Sequence, residues 1–233
     1  MKFPRYCRLA LAVAALAAGL LWQGLAMAAT ATVKGTVSLP AELKNDRHFV
    51  GYWRVENTNV GVQHASLRGG TVVLLVGPQF QSIPPKNVSV DIVGLQANPA
   101  AVVVSEGTVV EFKNSDKVAH DLSIPNQAQV MPPERLSSGA VRKQRFATAG
   151  EYLVHCTEYP HIVISVIVTS SPLFSVVEDK GGFKIADVPE GHATLKVWSN
   201  GAWVHEQEID VTAKGLDLSV KVQGSTAAKE NAE

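Results

Sequence analysis

A single cysteine defines the chemistry open to this sequence. The chain has 233 residues and two cysteines, Cys7 and Cys156. Cys7 lies in a segment patterned as a secretory signal, so the exported chain keeps Cys156 alone. A lone thiol in an oxidising compartment has no internal disulfide partner, and metal ligation is the leading reason for it. The competing reading is a buried, inert thiol. Cys156 sits in the run Gly150-Glu151-Tyr152-Leu153-Val154-His155-Cys156-Thr157-Glu158-Tyr159-Pro160-His161. By strand alternation His155 points away from it.

Other reactive constellations are missing from the sequence. There is no Ser-His-Asp or His-Glu-x-x-His arrangement and no Walker or Rossmann glycine pattern. The expectation is a protein that is not an enzyme. His48, His64, His192 and His205 have no spacing partner and read as surface residues. Trp53, Trp198 and Trp203 read as core or interface anchors. Met131, between Val130 and the pair Pro132-Pro133, reads as loop core rather than as a ligand.

The ends set the compartment. Lys2, Arg5 and Arg8 precede the apolar run Leu9 to Leu21, and Ala26-Met27-Ala28 fits a cleavage site. Residues 1–28 are therefore expected to be removed, leaving no stable membrane anchor. Three of the 21 basic residues and none of the 21 acidic ones lie there, so the remainder carries 18 against 21, a net charge of −3. Nothing resembles a nucleic-acid footprint. The expected location is the periplasm or the exterior.

Positioning falls to strands. Val/Ile/Thr-rich runs alternate with Gly, Pro, Asn and Asp clusters, and no amphipathic helical period persists. Strands are expected over 30–39, 71–76, 89–93, 101–105, 108–113, 120–124, 141–147, 151–156 and 162–169. A second set is expected over 174–177, 183–186, 193–198, 203–211 and 216–222. A boundary is expected near Ser170-Ser171-Pro172. This gives a first domain over 29–170, with an insertion at about 40–70, then a module over 171–222 and a disordered tail over 223–233. The run Ile162 to Val168 is apolar on both faces, so a second layer or a partner subunit must cover its outer side.

Two stretches resemble parts of the cupredoxins, the blue-copper β-sandwiches. One runs from Val102 to Asp121 and contains Phe112-Lys113-Asn114-Ser115-Asp116 ahead of His120. The other is Ala149-Gly150-Glu151-Tyr152 through Cys156-Thr157. The resemblance implies a Greek-key cupredoxin β-sandwich in an all-β chain, with His120 and Cys156 delivered by neighbouring strands to one copper ion. The segment Glu178 to Trp198, with its Gly181-Gly182 turn and Val188-Pro189-Glu190-Gly191, resembles a carboxypeptidase-regulatory-like (transthyretin-like) module. It implies a small C-terminal β-sandwich module. The order of the two resembles periplasmic proteins of the methylamine-utilisation type.

The ligand loop departs from the family. Aligned without gaps on Ser171-Pro172-Leu173-Phe174, the pattern Cys-x-x-His-Pro-x-Met puts Tyr159 at its histidine and Ile162 at its methionine. A longer-loop pattern, Cys-x-x-x-x-His, fits Cys156 and His161. The expected metal ligands are therefore His120, Cys156 and His161, with no axial methionine. Asp121 is a candidate tether between the two ligand loops. The function implied is electron transfer or copper handling with an unknown periplasmic redox or copper-handling partner. The alternative is a cupredoxin-fold binding or scaffold module without metal.

Overall fold

The computed structural model describes residues 30–40, 70–170, 173–178 and 180–223. The signal segment, the body of the insertion with His48, Trp53 and His64, and the end of the tail lie outside them. Among the described residues, no helix is long and apolar enough to cross a membrane.

Among the described residues the fold is all-β, with four sheets in four layers. The first sandwich pairs a sheet of order β4-β3-β6-β9 with one of order β5-β11-β10-β7-β8. Its strands are β3 (Val88–Val93), β4 (Gln96–Asn98), β5 (Ala101–Val104), β6 (Thr108–Asn114), β7 (His120–Ser123), β8 (Glu134–Leu136), β9 (Val141–Phe146), β10 (Gly150–Cys156) and β11 (Val163–Val168). Alternate residues of each strand enter its core: Val90 and Ile92, Val110 and Phe112, Tyr152, Val154 and Cys156, Ile164 and Val166.

The second sandwich pairs a sheet of order β13-β1-β16 with one of order β12-β2-β14-β15. Its strands are β1 (Thr30–Ser38), β2 (Val72–Val76), β12 (Leu173–Val176), β13 (Gly182–Pro189), β14 (Gly191–Ser199), β15 (Ala202–Val211) and β16 (Leu216–Lys221). Thus β1 and β2, which the sequence reading grouped with the first domain, lie among the strands of the C-terminal segment. β1 runs between β13 and β16, and β2 between β12 and β14. The physical reason is two-sided burial. Val73 and Leu75 enter the second core, while Val72 and Leu74 turn toward the first sandwich.

That outward face forms a third apolar cluster. Val72, Leu74 and Trp198 pack against Ala101, Val103 and Ile167, with Leu153, Phe174 and Trp203 alongside. The outer face of β11 is therefore covered from within the chain. The uninterrupted apolar runs of β2, β5 and β11 follow from having a core on each side. Trp203 Nε1 donates to Glu151 Oε1 at 2.8 Å, tying β15 to the start of β10.

Candidate metal centre

Cys156 and His120 meet at the end of the first sandwich. β7 and β10 are antiparallel, and Cys156 lies opposite Leu122. His120, two residues before Leu122, faces the same core and stands diagonally across from the thiol. Cys156 Sγ is 3.7 Å from His120 Nδ1. Both residues are buried, His120 completely.

The ring of His120 is held from behind. Asp116 Oδ2 lies 2.9 Å from Nε2. The Asp116 carboxylate already accepts the amide protons of Gly94 (2.6 Å) and Leu95 (3.1 Å), so it serves as the acceptor and Nε2–H donates. In the neutral ring, Nδ1 then carries the lone pair and faces sulfur. Asn114 fixes the β6–β7 loop: its Nδ2 donates to Val118 O and Leu136 O at 2.8 and 2.9 Å, and its Oδ1 accepts the Asp116 amide at 2.9 Å.

Opposing influences act on the thiol. Burial pushes the Cys156 thiol up. Backbone hydrogen bonding at Tyr159, Asp121 and Glu158 pulls the other way, while the Glu158 carboxylate adds to the rise.

The remaining loop residues are placed differently. Tyr159 stands edge-on to His120, with ring centroids 5.1 Å apart, and also meets His161 at 6.2 Å. Burial, then the charges of Glu158, Cys156 and Asp116, push its phenol up, which disfavours a phenolate ligand. His161 Nε2 donates to Leu95 O at 2.9 Å. Burial first, and the His120 ring after it, lowers the pKa of His161 against the opposing Leu95 bond. This bond anchors the His161 ring to the β3–β4 turn through Nε2. Among the described residues, no group of three or more His, Cys, Asp or Glu is arranged to hold a metal ion.

Other expectations resolve plainly. Ile162, at the methionine position of the pattern, is buried in the core, as is Met131. Glu158 pairs with Arg135 at 3.1 Å on the rim. Asp121 does bridge the two ligand loops, but through its backbone: its C=O accepts Thr157 N–H at 3.0 Å, whereas its Oδ1 is buried without a hydrogen bond. The role of Asp116 escaped the sequence reading, although its spacing of four from His120 was a usable signal.

The donors present suit a soft monovalent ion. Thiolate suits Cu(I) and zinc, and imidazole suits both as well. Ordinary metal–sulfur and metal–nitrogen distances are about 2.3 and 2.0 Å, and their sum exceeds the gap between the two atoms, so one ion can touch both.

No protein-family model matches the chain, and no curated protein matches it. The solved structures to which it is similar include cupredoxins. Amicyanin from Paracoccus versutus is 19% identical over 42% of this chain and 97% of that one, with a TM-score of 0.33. A purple cupredoxin from Nitrosopumilus maritimus is 22% identical over 35% and 99%, with a TM-score of 0.32. The copper-containing nitrite reductase from Thermus scotoductus SA-01 is 25% identical over 40% of this chain and 25% of that one, with a TM-score of 0.32.

Proposed function

We propose that this chain is an exported copper-handling protein of cupredoxin type, in which Cys156 and His120 hold one copper ion, chiefly as Cu(I). One observation carries the reading: a buried Sγ lies 3.7 Å from an imidazole Nδ1 whose other nitrogen is engaged by a carboxylate. Bound copper would supply a one-electron centre. The chain's own residues supply the rest. Backbone hydrogen bonding favours negative sulfur, Asp116 orients the ring, and Ile162 and Met131 keep the surrounding core apolar. Two soft donors with no thioether favour Cu(I) over Cu(II). His161 lies outside this pair; with Nε2–H held by Leu95 O, any ligation by it would use Nδ1.

The reading predicts one tightly held Cu(I) per mature chain, measured by competition with a chromogenic chelator. Cys156→Ala and His120→Ala should lose it, while His161→Ala should retain it. Stoichiometric binding by Cys156→Ala would overturn the assignment.

A second reading has its own observation. Tyr159 packs on His120 at the loop position where the aligned pattern has histidine. On that reading the end of the sandwich is a metal-free recognition surface. It predicts no bound copper in either oxidation state, and a His120→Ala protein that still binds its partner.

A further inference from the structure

The two imidazoles are linked through one turn. Val93 and Gln96 pair across β3 and β4, leaving Gly94 and Leu95 as the two-residue connection. Both have positive φ, 63° and 61°, as a primed hairpin turn requires. Glycine suits that conformation, whereas leucine does not adopt it readily. Something must hold Leu95 there, and the contacts name it.

We propose that Asp116 is a positioning residue that sets His120 and His161 together through the Gly94–Leu95 turn. Its Oδ1 accepts Gly94 N–H at 2.6 Å, and its Oδ2 accepts Leu95 N–H at 3.1 Å and His120 Nε2–H at 2.9 Å. The opposite side of the same turn, Leu95 O, accepts His161 Nε2–H at 2.9 Å. The carboxylate cannot drift, because Asp116 N–H is bound by Asn114 Oδ1 and its C=O by Ser138 Oγ, at 2.9 and 2.6 Å. The loop is stitched to β3 as well, through Ser115 N–H to Ile92 O at 2.8 Å and Ser115 Oγ to Asp91 Oδ1 at 2.6 Å.

The chemical result is a shared tautomer. Each histidine commits Nε2–H to the turn or its anchor, so each neutral ring keeps its lone pair on Nδ1. A single carboxylate thereby presets two imidazoles for the same kind of ligation. What Nδ1 is for rests on the copper reading; the coupling itself belongs to the metal-free protein.

The test uses metal-free, ¹⁵N-labelled full-length mature protein and long-range proton–nitrogen correlations of the imidazoles. In the wild type, both His120 and His161 should show the Nε2–H form. Asp116→Ala should lose the single tautomer at His120 and also shift the ring signals of His161, which residue 116 reaches through Leu95. The near-isosteric Asp116→Asn should keep the His120 tautomer through its amide oxygen while still shifting His161, because its NH2 cannot accept a turn amide. It also covers the case in which the alanine variant fails to fold. An Nδ1–H form at His120 in the wild type, or His161 signals unchanged in both variants, would overturn the proposal. A separate Cu(I) titration of the wild type keeps the two claims apart. Absent copper binding with the expected tautomers would sink the copper reading and leave this one standing.

Discussion

The Tyr159 ring meets His120 edge-on, 5.1 Å between centroids, at the loop position where the related pattern carries its second histidine. Where that pattern supplies an imidazole, this loop supplies a neutral phenol. Replacing Tyr159 with His should therefore convert a two-donor site into a three-donor one. We expect tighter copper binding, by at least the roughly ten- to hundredfold by which even outer-shell partners of a ligand move metal affinity. An intense thiolate-to-Cu(II) absorption band should appear in the same variant. Unchanged affinity and no colour would mean that residue 159 is not directed at the pair.

β1 supplies a second prediction. It is the central strand of its sheet, antiparallel to β13 and parallel to β16. Gly35 permits this closeness, since a Cβ there would run into Leu218 O. β2 is equally interior, between β12 and β14. Residues 171–222 expressed alone would lack both strands and keep chiefly the β14–β15 hairpin, which is marginal in isolation. Poor amide dispersion in its NMR spectrum is expected. A cooperatively unfolding fragment would contradict the pairing.

Arg142 gives a third. Its guanidinium is buried and donates to Leu122 O at 2.6 Å and Pro132 O at 2.8 Å, with Glu134 3.2 Å from Nε. Burial lowers its pKa, and Glu134 opposes the shift. Arg142→Met keeps the stem's packing and removes the donors. Because hydrogen bonds to charged groups contribute about 1.5–3 kcal/mol each, losing the two carbonyl bonds should cost roughly 3–6 kcal/mol in urea denaturation. Leu122 lies opposite Cys156, so copper affinity should fall as well.

The fourth concerns pH. His192 lies exposed between Asp210 and Glu208, each 2.9 Å away. The Asp210 hydrogen bond first, then the charges of Asp210 and Glu208, raises its pKa. A raised folded-state pKa means that the folded protein holds the proton more tightly than the unfolded chain. The contribution is full below the unfolded value, about 6.5, and is lost as pH rises through the higher folded value. The difference in thermal midpoint between wild type and His192→Gln should be largest at mildly acidic pH and vanish in alkali. A difference that grows with pH would reverse the assignment.

Most strands were legible because one residue in two is apolar, or because whole runs are. β4 and β8 were not: Gln96-Ala97-Asn98 and Glu134-Arg135-Leu136 are too short and polar for a periodic signal. Sheet membership was also hidden. The alternation of Val33 and Val37 in β1 specifies a buried face without specifying which core receives it. In the site, Cys156 and His120 were legible from their residue types and the motif around them. The departure at Tyr159 was visible, but the outcome for His161 was not. Its partner is a backbone carbonyl of Leu95, and no side-chain pattern announces a carbonyl. Gly94 signals a turn, whereas the positive φ of Leu95 has no sequence signature.

The nesting of β1 and β2 bears on the order of assembly. Synthesis releases these two strands before any of the first sandwich, yet their partners emerge only with β12 through β16. The strands from β3 to β11 can close around Phe112 and Val154 while β1 and β2 wait, carrying unpaired edges and bare valines. β12 to β16 therefore act as a lock, engaging β1 and β2 only when they too have been delivered.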